Sequence, residues 1–253
     1  MDCHRPNHSR RYLRSAVRGL TIGAGFGVAA YLGYAGAVWF RYGHARQRTA
    51  SEETDPLLDL FMPEYEVAER HHIRVAAPAA ITFAAATDLN LMQSAVIRAI
   101  FRTRELVLGA QPDSAARPRG LLAQMKALGW GVLAEIPERE IVMGAATRPW
   151  AVNVVFRALP PDQFAAFDEP GYVKIAWTLR ADSTGPAESI ARTETRVMTT
   201  DPTARAKFRR YWSCFLPGII SIRYIALRLV KKEAERRART LKGEDADFGS
   251  KKS

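Results

Sequence analysis

The sequence predicts an α+β domain, a curved antiparallel sheet covered by one long C-terminal helix, preceded by a single N-terminal transmembrane helix. Three observations predict it. Residues 19–40, "GLTIGAGFGVAAYLGYAGAVWF", run 22 residues without a charge. Between residues 131 and 199 lies a succession of short segments rich in alternating apolar residues. From Asp201 onward, apolar residues recur at helical spacing. A curved sheet must bury its apolar face, and the last helix is the available cover.

The uncharged run is long enough to cross a hydrocarbon core of about 30 Å at about 1.5 Å per residue. Tyr31, Tyr34, Trp39, Phe40 and Tyr42 crowd toward one end and arginines flank both sides, as at a lipid–water boundary. Its glycines also resemble a dinucleotide-binding turn. That reading fails, because Arg10, Arg11, Arg14 and Arg18 occupy the place of the buried strand and "RYGHARQR" the place of the ribose-binding acid. Gly19, Gly23 and Gly27 are spaced by four, as are Gly25, Ala29, Gly33 and Ala37. Such a ridge suits a homodimer of helices, while a weakly apolar span without a partner fits the same composition. The basic tail, the apolar run and Ala35 and Ala37 also describe a cleavable secretory signal, and Arg10 and Arg11 a twin-arginine one; the length of the run favours a retained anchor.

The net charge of +11 is unevenly spread. Residues 1–18 carry +4, residues 41–48 carry +3 and residues 228–253 carry +4, which leaves residues 49–227 neutral. A nucleic-acid binder carries its basic surface on the folded domain, so that partner class is excluded. Basic groups beside a span and in a tail suit anionic membrane lipid. Five arginines before the span against three after it predict a cytoplasmic N-terminus and an extracytoplasmic domain in a single-pass protein of a cell membrane. Cys3 and Cys214 are too far apart in role to indicate a disulfide, and Cys214 in "YWSCFLP" reads as a small buried hydrophobe. Cys3, His4 and His8 lack a fourth ligand, so no metal is expected. His71 and His72 are neighbours on a strand and point to opposite faces.

Residues 1–18 form a basic tail, 19–40 the span and 41–64 a polar linker; the domain covers 65–236 and a polar basic tail 237–253. A first strand runs through "EYEVAERHHIRVAAP", followed by a short helix over "AAITFAAA" and a second, capped by Asp88, through "LNLMQSAVIRAIFR". "LLAQMKALGW" is a third, ended by Gly129. Four strand segments follow: "GVLAEIPEREIVMGAA" with a turn at Pro137 and Glu138, then "WAVNVVFRAL", "GYVKIAWTLRA" and "ESIARTETRVMTT". The last helix has Asp201 as N-cap and Pro202 at its first position. Its apolar stripe is Phe208, Trp212, Phe215, Ile219, Ile222, Ala226 and Leu229. Pro217 should kink or break it, and beyond Val230 it turns polar and protrudes.

At "RVAAPAAITFAAATDLN", "EIPEREIVMGA", "FAAFDEPGYVKIAWTLRA" and above all "TETRVMTTDPTARAKFRRYW" leading into "LPGIISIRYIALRLVKKEAE", the sequence resembles the START-like superfamily, also called SRPBCC, and a bacterial group within it. The likeness covers roughly residues 65–236. It implies a helix-grip fold with an internal cavity, used across the superfamily for lipids, polyketides and other apolar molecules. It carries no catalytic residues onto numbered positions. Apolar strand faces would line such a cavity: Trp150, Val152, Val154 and Phe156 on one strand, Val173, Ile175 and Trp177 on the next, and Phe208, Trp212 and Phe215 on the helix. The competing reading is that these residues fill the core. Arg192, Glu194 and Arg196 form a polar cluster on one strand face, either gripping a headgroup or acting as a structural ion network. No nucleophile–base pair, metal-ligand spacing or phosphate loop stands out, and no cofactor is expected.

The leading expectation is therefore a membrane-anchored START-like domain that binds an apolar small molecule or lipid. Two others compete with it: a cyclase- or hydratase-type enzyme using Glu194, Arg196 or a pocket Tyr, and an interaction module with a filled core whose basic helix from Lys231 to Arg239 binds anionic lipid.

Overall fold

The computed structural model describes residues 27–42, 54–109 and 118–250, the last seven for their backbone alone. The chain falls into two units, Met1–Arg41 and Tyr42–Ser253. In the first, residues 27–41 form a helix, α1. Val28, Leu32 and Phe40 are exposed on it, and a Cβ added at Gly27, Gly33 or Gly36 would meet nothing within 4 Å. The rest of the expected span, together with Gly19, Gly23, Gly25, Cys3, His4 and His8, lies outside the described residues.

In the second unit the order is α2 (Pro56–Asp59), β1 (Val67–Val75), α3 (Ala79–Thr87), a 3-10 turn (Leu91–Gln93), α4 (Ala95–Leu108), α5 (Leu121–Ala127), β2 (Gly131–Ile136), β3 (Glu140–Thr147), β4 (Phe156–Arg157), α6 (Pro161–Phe164), β5 (Val173–Gly185), β6 (Glu188–Thr199) and α7 (Pro202–Ser250). The strands make one antiparallel sheet in the order β1-β6-β5-β3-β2, with β4 paired to β3. Strand periodicity of two gives it two distinct faces. On one, Ile141, Met143, Leu179 and Ala191 pack with α3 and with Leu227, Val230 and Ala234 of α7. On the other, Val142, Ala146 and Ala176 pack with Leu58 and Met62 around α2 and with Phe164 of α6. This second face is closed, since Val142, Ala146 and Ala176 are each 0% exposed. It is also tight: a Cβ on Gly144 would lie 2.6 Å from Leu133 and 2.7 Å from Phe164.

Several expectations need correction. The segment read as linker contributes to the core, because the Asp55 side chain accepts from Leu58 N at 2.9 Å to start α2, and Leu58 and Met62 are buried. Asp88 ends α3 rather than opening the next helix, and Ser94 caps α4 by accepting from Ile97 N at 3.4 Å. "WAVNVVFRAL" is not a strand beyond Phe156 and Arg157. The edge of β3 is already occupied by β2, so only Ala146↔Arg157 and Thr147↔Phe156 can pair, and a turn from Arg148 to Ala151 fills the remainder. α7 passes Pro217 without ending. Packing holds it there, since α4 approaches so closely that a Cβ on Gly218 would sit 3.0 Å from Ile100. Nor does α7 protrude past Val230: Ala234 and Ala238 are buried in the core, and Arg237 pairs with Asp88 at 3.0 Å. Cys214 is exposed on its outer side.

Asp201 and Pro202 do open α7. One Asp201 oxygen accepts from Thr203 N at 2.7 Å and Ala204 N at 2.9 Å, and the other accepts from Gly171 N, tying the helix start to the loop before β5. These backbone donors, Ala204 first, hold its carboxyl below the usual range.

At the sheet's opposite end, burial first and the Asp55 carboxyl second push the Glu140 acid up from 4.5 to about 8, and its Oε1 is buried without a partner. A folded state that retains a proton the unfolded chain releases loses stability as pH rises between those values. Stability should therefore fall between about pH 5 and pH 8 by an amount on the order of a few kcal/mol. Glu140→Gln keeps the neutral shape and should remove that fall, matching wild type at pH 5 and exceeding it at pH 8.5 in urea titrations. A variant that tracked wild type at both would assign the slope to other groups.

Candidate functional site

The helix-facing side of the sheet differs from the sealed side. The buried stripe of α7 consists of Ala204, Phe208, Trp212 and Leu216, then Leu227, Val230, Ala234 and Ala238. It lapses between Leu216 and Leu227, about 16 Å of helix at 1.5 Å per residue. Within that gap Ile219, Ile222 and Ile225 are only partly buried. The stripe position seven residues after Leu216 and four before Leu227, where a core residue belongs, is Arg223.

Other partly buried apolar groups rest on the core that α7 covers. They include Ile73 and Trp177 from the sheet, Phe101 from α4, Met125 from α5, and Trp130. Trp130 stacks on Phe156 at 4.9 Å and meets Trp177 edge-on at 6.3 Å, which makes an aromatic wall from three separate segments. On the β1 side the His71 ring packs edge-on against Tyr224 of α7 at 5.0 Å.

The polar groups on this side are conspicuously unsatisfied. Buried side-chain atoms without a hydrogen-bond partner among the described residues are His71 Nε2, Thr195 Oγ1, Arg223 Nε and the distant Glu140 Oε1. Three of these four lie between the sheet and α7. Thr195 is directly opposite Glu69 across the β1–β6 ladder, and Thr193 opposite His71. Glu69 Oε2 is 3.6 Å from His71 Nε2, beyond hydrogen-bond range. Burial pulls the Arg223 guanidinium down from 12.5 to about 10, and the attraction of Glu69 does not offset it. It remains charged at neutral pH.

The residues singled out from sequence fall into three places. Val173, Phe208 and Trp212 are buried, with Phe208 and Trp212 5.4 Å apart, while Phe215 is partly buried and pairs with Tyr211 at 4.8 Å. Ile175 and Trp177 are partly buried on the helix-facing side of β5. Trp150, Val152 and Val154 stand on the loop after β3, where Val152 is 52% exposed and lines no interior, while Phe156 joins the Trp130 wall.

Arg192, Glu194 and Arg196 lie on the sealed face, away from α7. Arg196 donates to Glu194 Oε1 at 2.7 Å, to Asp59 Oδ1 at 2.6 Å and to the Met62 carbonyl at 2.7 Å. Arg70 closes a fork on Glu194 at 2.8 and 2.9 Å, and Arg192 pairs with Asp182 at 2.8 Å. Both Glu194 oxygens are engaged by arginines, an arrangement that pins α2 to the sheet. Along α7, Lys231 pairs with Glu235, and Arg236 and Arg237 with Glu233.

Arg223 was not singled out from sequence. The usable signal is the first of the two arginines in "GIISIRYIALRLV", the one on the line joining Leu216 to Leu227 and Val230.

No protein-family model and no curated protein matches the chain. Solved structures do. The di-domain aromatase/cyclase BexL from the BE-7585A biosynthetic pathway is 14% identical, with 67% of this chain and 46% of that one covered and a TM-score of 0.26. This chain thus spans a little under half of that protein. The Zhui aromatase/cyclase from Streptomyces sp. R1128 is 14% identical over 68% of this chain and 94% of that one, with a TM-score of 0.27. A START superfamily protein from Mycobacterium smegmatis is 12% identical over 69% and 98%, with a TM-score of 0.25. Alignments at this level carry no argument about activity. By its own strand order and by the placement of α7 across one sheet face, the chain has the helix-grip fold.

Proposed function

We propose that the domain binds an apolar small molecule between its sheet and α7, and that the uncharged N-terminal run anchors it to a membrane. The observation that carries the reading is the lapse in the buried stripe of α7 between Leu216 and Leu227, on the sheet face whose core is ringed by partly buried apolar groups, in a domain whose other sheet face is sealed. Side chains that only fill a core are closed over on all sides, whereas a binding cleft keeps apolar walls accessible and places a few polar groups among them. The likeness to START and aromatase/cyclase structures agrees with this use of the fold but adds no residue to it. Anchoring is supported by the 22-residue uncharged run and by the exposed apolar groups of α1. Among the described residues, only α7 is long and apolar enough to cross a bilayer by composition, and its buried stripe packs on the sheet. Glu194 and Arg196 are engaged on the sealed face, which leaves the enzyme alternative only the pocket Tyr among the groups it named.

The test is to purify the full chain in a nonionic detergent, denature it, and identify released molecules by mass spectrometry. A single apolar species in near-equimolar amount is expected, and adding it back should raise the melting temperature. An empty protein that no apolar probe stabilises would sink the reading.

A further inference from the structure

We infer that the molecule held between the sheet and α7 is an amphiphile with an anionic head, and that Arg223, with Thr195 and His71, is the seat of that head. The inference rests on the cleft reading above and adds the chemistry of one end of the ligand.

A guanidinium inside a helix–sheet interface is costly, and the usual remedy is a carboxylate within hydrogen-bond range. Arg223 has none. Its Nε is buried without a partner, and Glu69, the acid whose charge it feels, forms no ion pair with it. Every other arginine facing into the domain's interior on the sealed side is fully engaged, as Arg196 shows with three acceptors. The fold thus satisfies the fully buried Arg196, whereas at the partly buried Arg223 it leaves the Nε without an acceptor. Two further groups on the same side of the sheet share the condition, the Thr195 hydroxyl and the His71 Nε2. Guanidinium and hydroxyl are donors, so the missing partner is an acceptor-rich group. Glu69 lies 3.6 Å from His71 and its side chain is 24% exposed, which places it at the wet edge of the cluster rather than across the guanidinium. A carboxylate or a phosphate ester meets a guanidinium in the fork geometry that Arg favours. The apolar groups along the lapse in the stripe then take the tail.

Native mass spectrometry of the full chain in dodecyl maltoside, offered palmitic acid, hexadecyl phosphate and hexadecanol at equal concentration, tests this. Retention of the acid or the phosphate at least about tenfold above the alcohol is expected, and Arg223→Met should abolish the preference. Whichever of the two wins names the head as carboxylate or phosphate ester. Equal retention of all three, or a preference that survives Arg223→Met, overturns the head-group assignment while leaving the cleft intact; retention of none overturns both. A melting curve separates a ligand-binding arginine from a structural one. Because the free protein leaves the buried Nε of Arg223 without an acceptor, Arg223→Met should melt no lower than wild type, and a fall of more than about 5 °C would overturn the assignment. Thr195→Val, which keeps the side-chain volume and the charge, should lower the preference several-fold without moving the melt.

Discussion

Arg196→Met should cost the domain about 3–5 kcal/mol in chemical denaturation, the range for removing one partner of a buried, hydrogen-bonded charge network. Arg196 is 0% exposed and is the only side chain of the "TETR" segment that reaches Glu194, Asp59 and the Met62 carbonyl together. Methionine fills the volume but leaves the Met62 carbonyl without its donor and removes the Arg196 bond to Asp59. Glu194 keeps Arg70, whose side chain is 23% exposed and which sits on the Tyr65 ring beside it. The expected damage is therefore directional: α2 loosens first, and with it Leu58 and Met62, which close the second face of the sheet. Arg70→Met should cost about 1 kcal/mol, since Arg70 is partly exposed and Glu194 keeps Arg196. Equal costs for the two variants would mean that the network is not organised around Arg196. Neither variant should alter ligand preference, because this network and Arg223 stand on opposite faces of the sheet.

That separation explains which parts of the site could be read from sequence. "ESIARTETRVMTT" and "GYVKIAWTLRA" alternate, so the strands and the division of their residues between two faces were legible, as were Asp201 and Pro202 at the start of α7. The face of β5 carrying Ile175 and Trp177 was read toward the helix, where the structure has it; what was not legible is that the opposite face is closed by a segment upstream of β1, which only α2 reveals. Its sequence "DPLLDLFM" carries a capping acid, a proline and a run of apolar residues, but seven residues of helix and turn are too few to stand out against polar flanks. "WAVNVVFRAL" misled for a different reason. Its β-branched residues suit a strand, but strand preference depends on a free neighbour to pair with, and β2 had taken that edge. On α7 the stripe predicted through Ile219, Ile222, Ala226 and Leu229 is displaced by one position from the buried line through Leu216, Leu227 and Val230. Ranking helix positions by hydrophobicity discards an arginine, and the buried line passes through one.

Gly129→Ala should be the most damaging conservative change near the cleft. Gly129 has φ +97, and an added Cβ would lie 2.2 Å from the Phe156 carbonyl oxygen and 3.1 Å from its carbon. Backbone atoms cannot rotate aside as a side chain does, so β4 must move. It has little to hold it, being two residues paired to the end of β3. The conformational strain is worth about 1–3 kcal/mol and the overpacking another 1–3 kcal/mol, so a loss of about 2–6 kcal/mol in urea unfolding is expected. Gly109→Ala is the control, with φ +68 and nothing within 4 Å of the added atom, and should show the strain alone at about 1 kcal/mol. The larger consequence is functional. Phe156 carries Trp130, and Trp130 meets Trp177, so displacing β4 opens the aromatic wall opposite the lapse in α7. Gly129→Ala should therefore weaken retention of palmitic acid, hexadecyl phosphate and hexadecanol alike, where Arg223→Met changes only their order. If Gly129→Ala cost no more than Gly109→Ala and left retention untouched, the wall would not be held by β4, and the apolar end of the ligand would have to lie elsewhere along the helix.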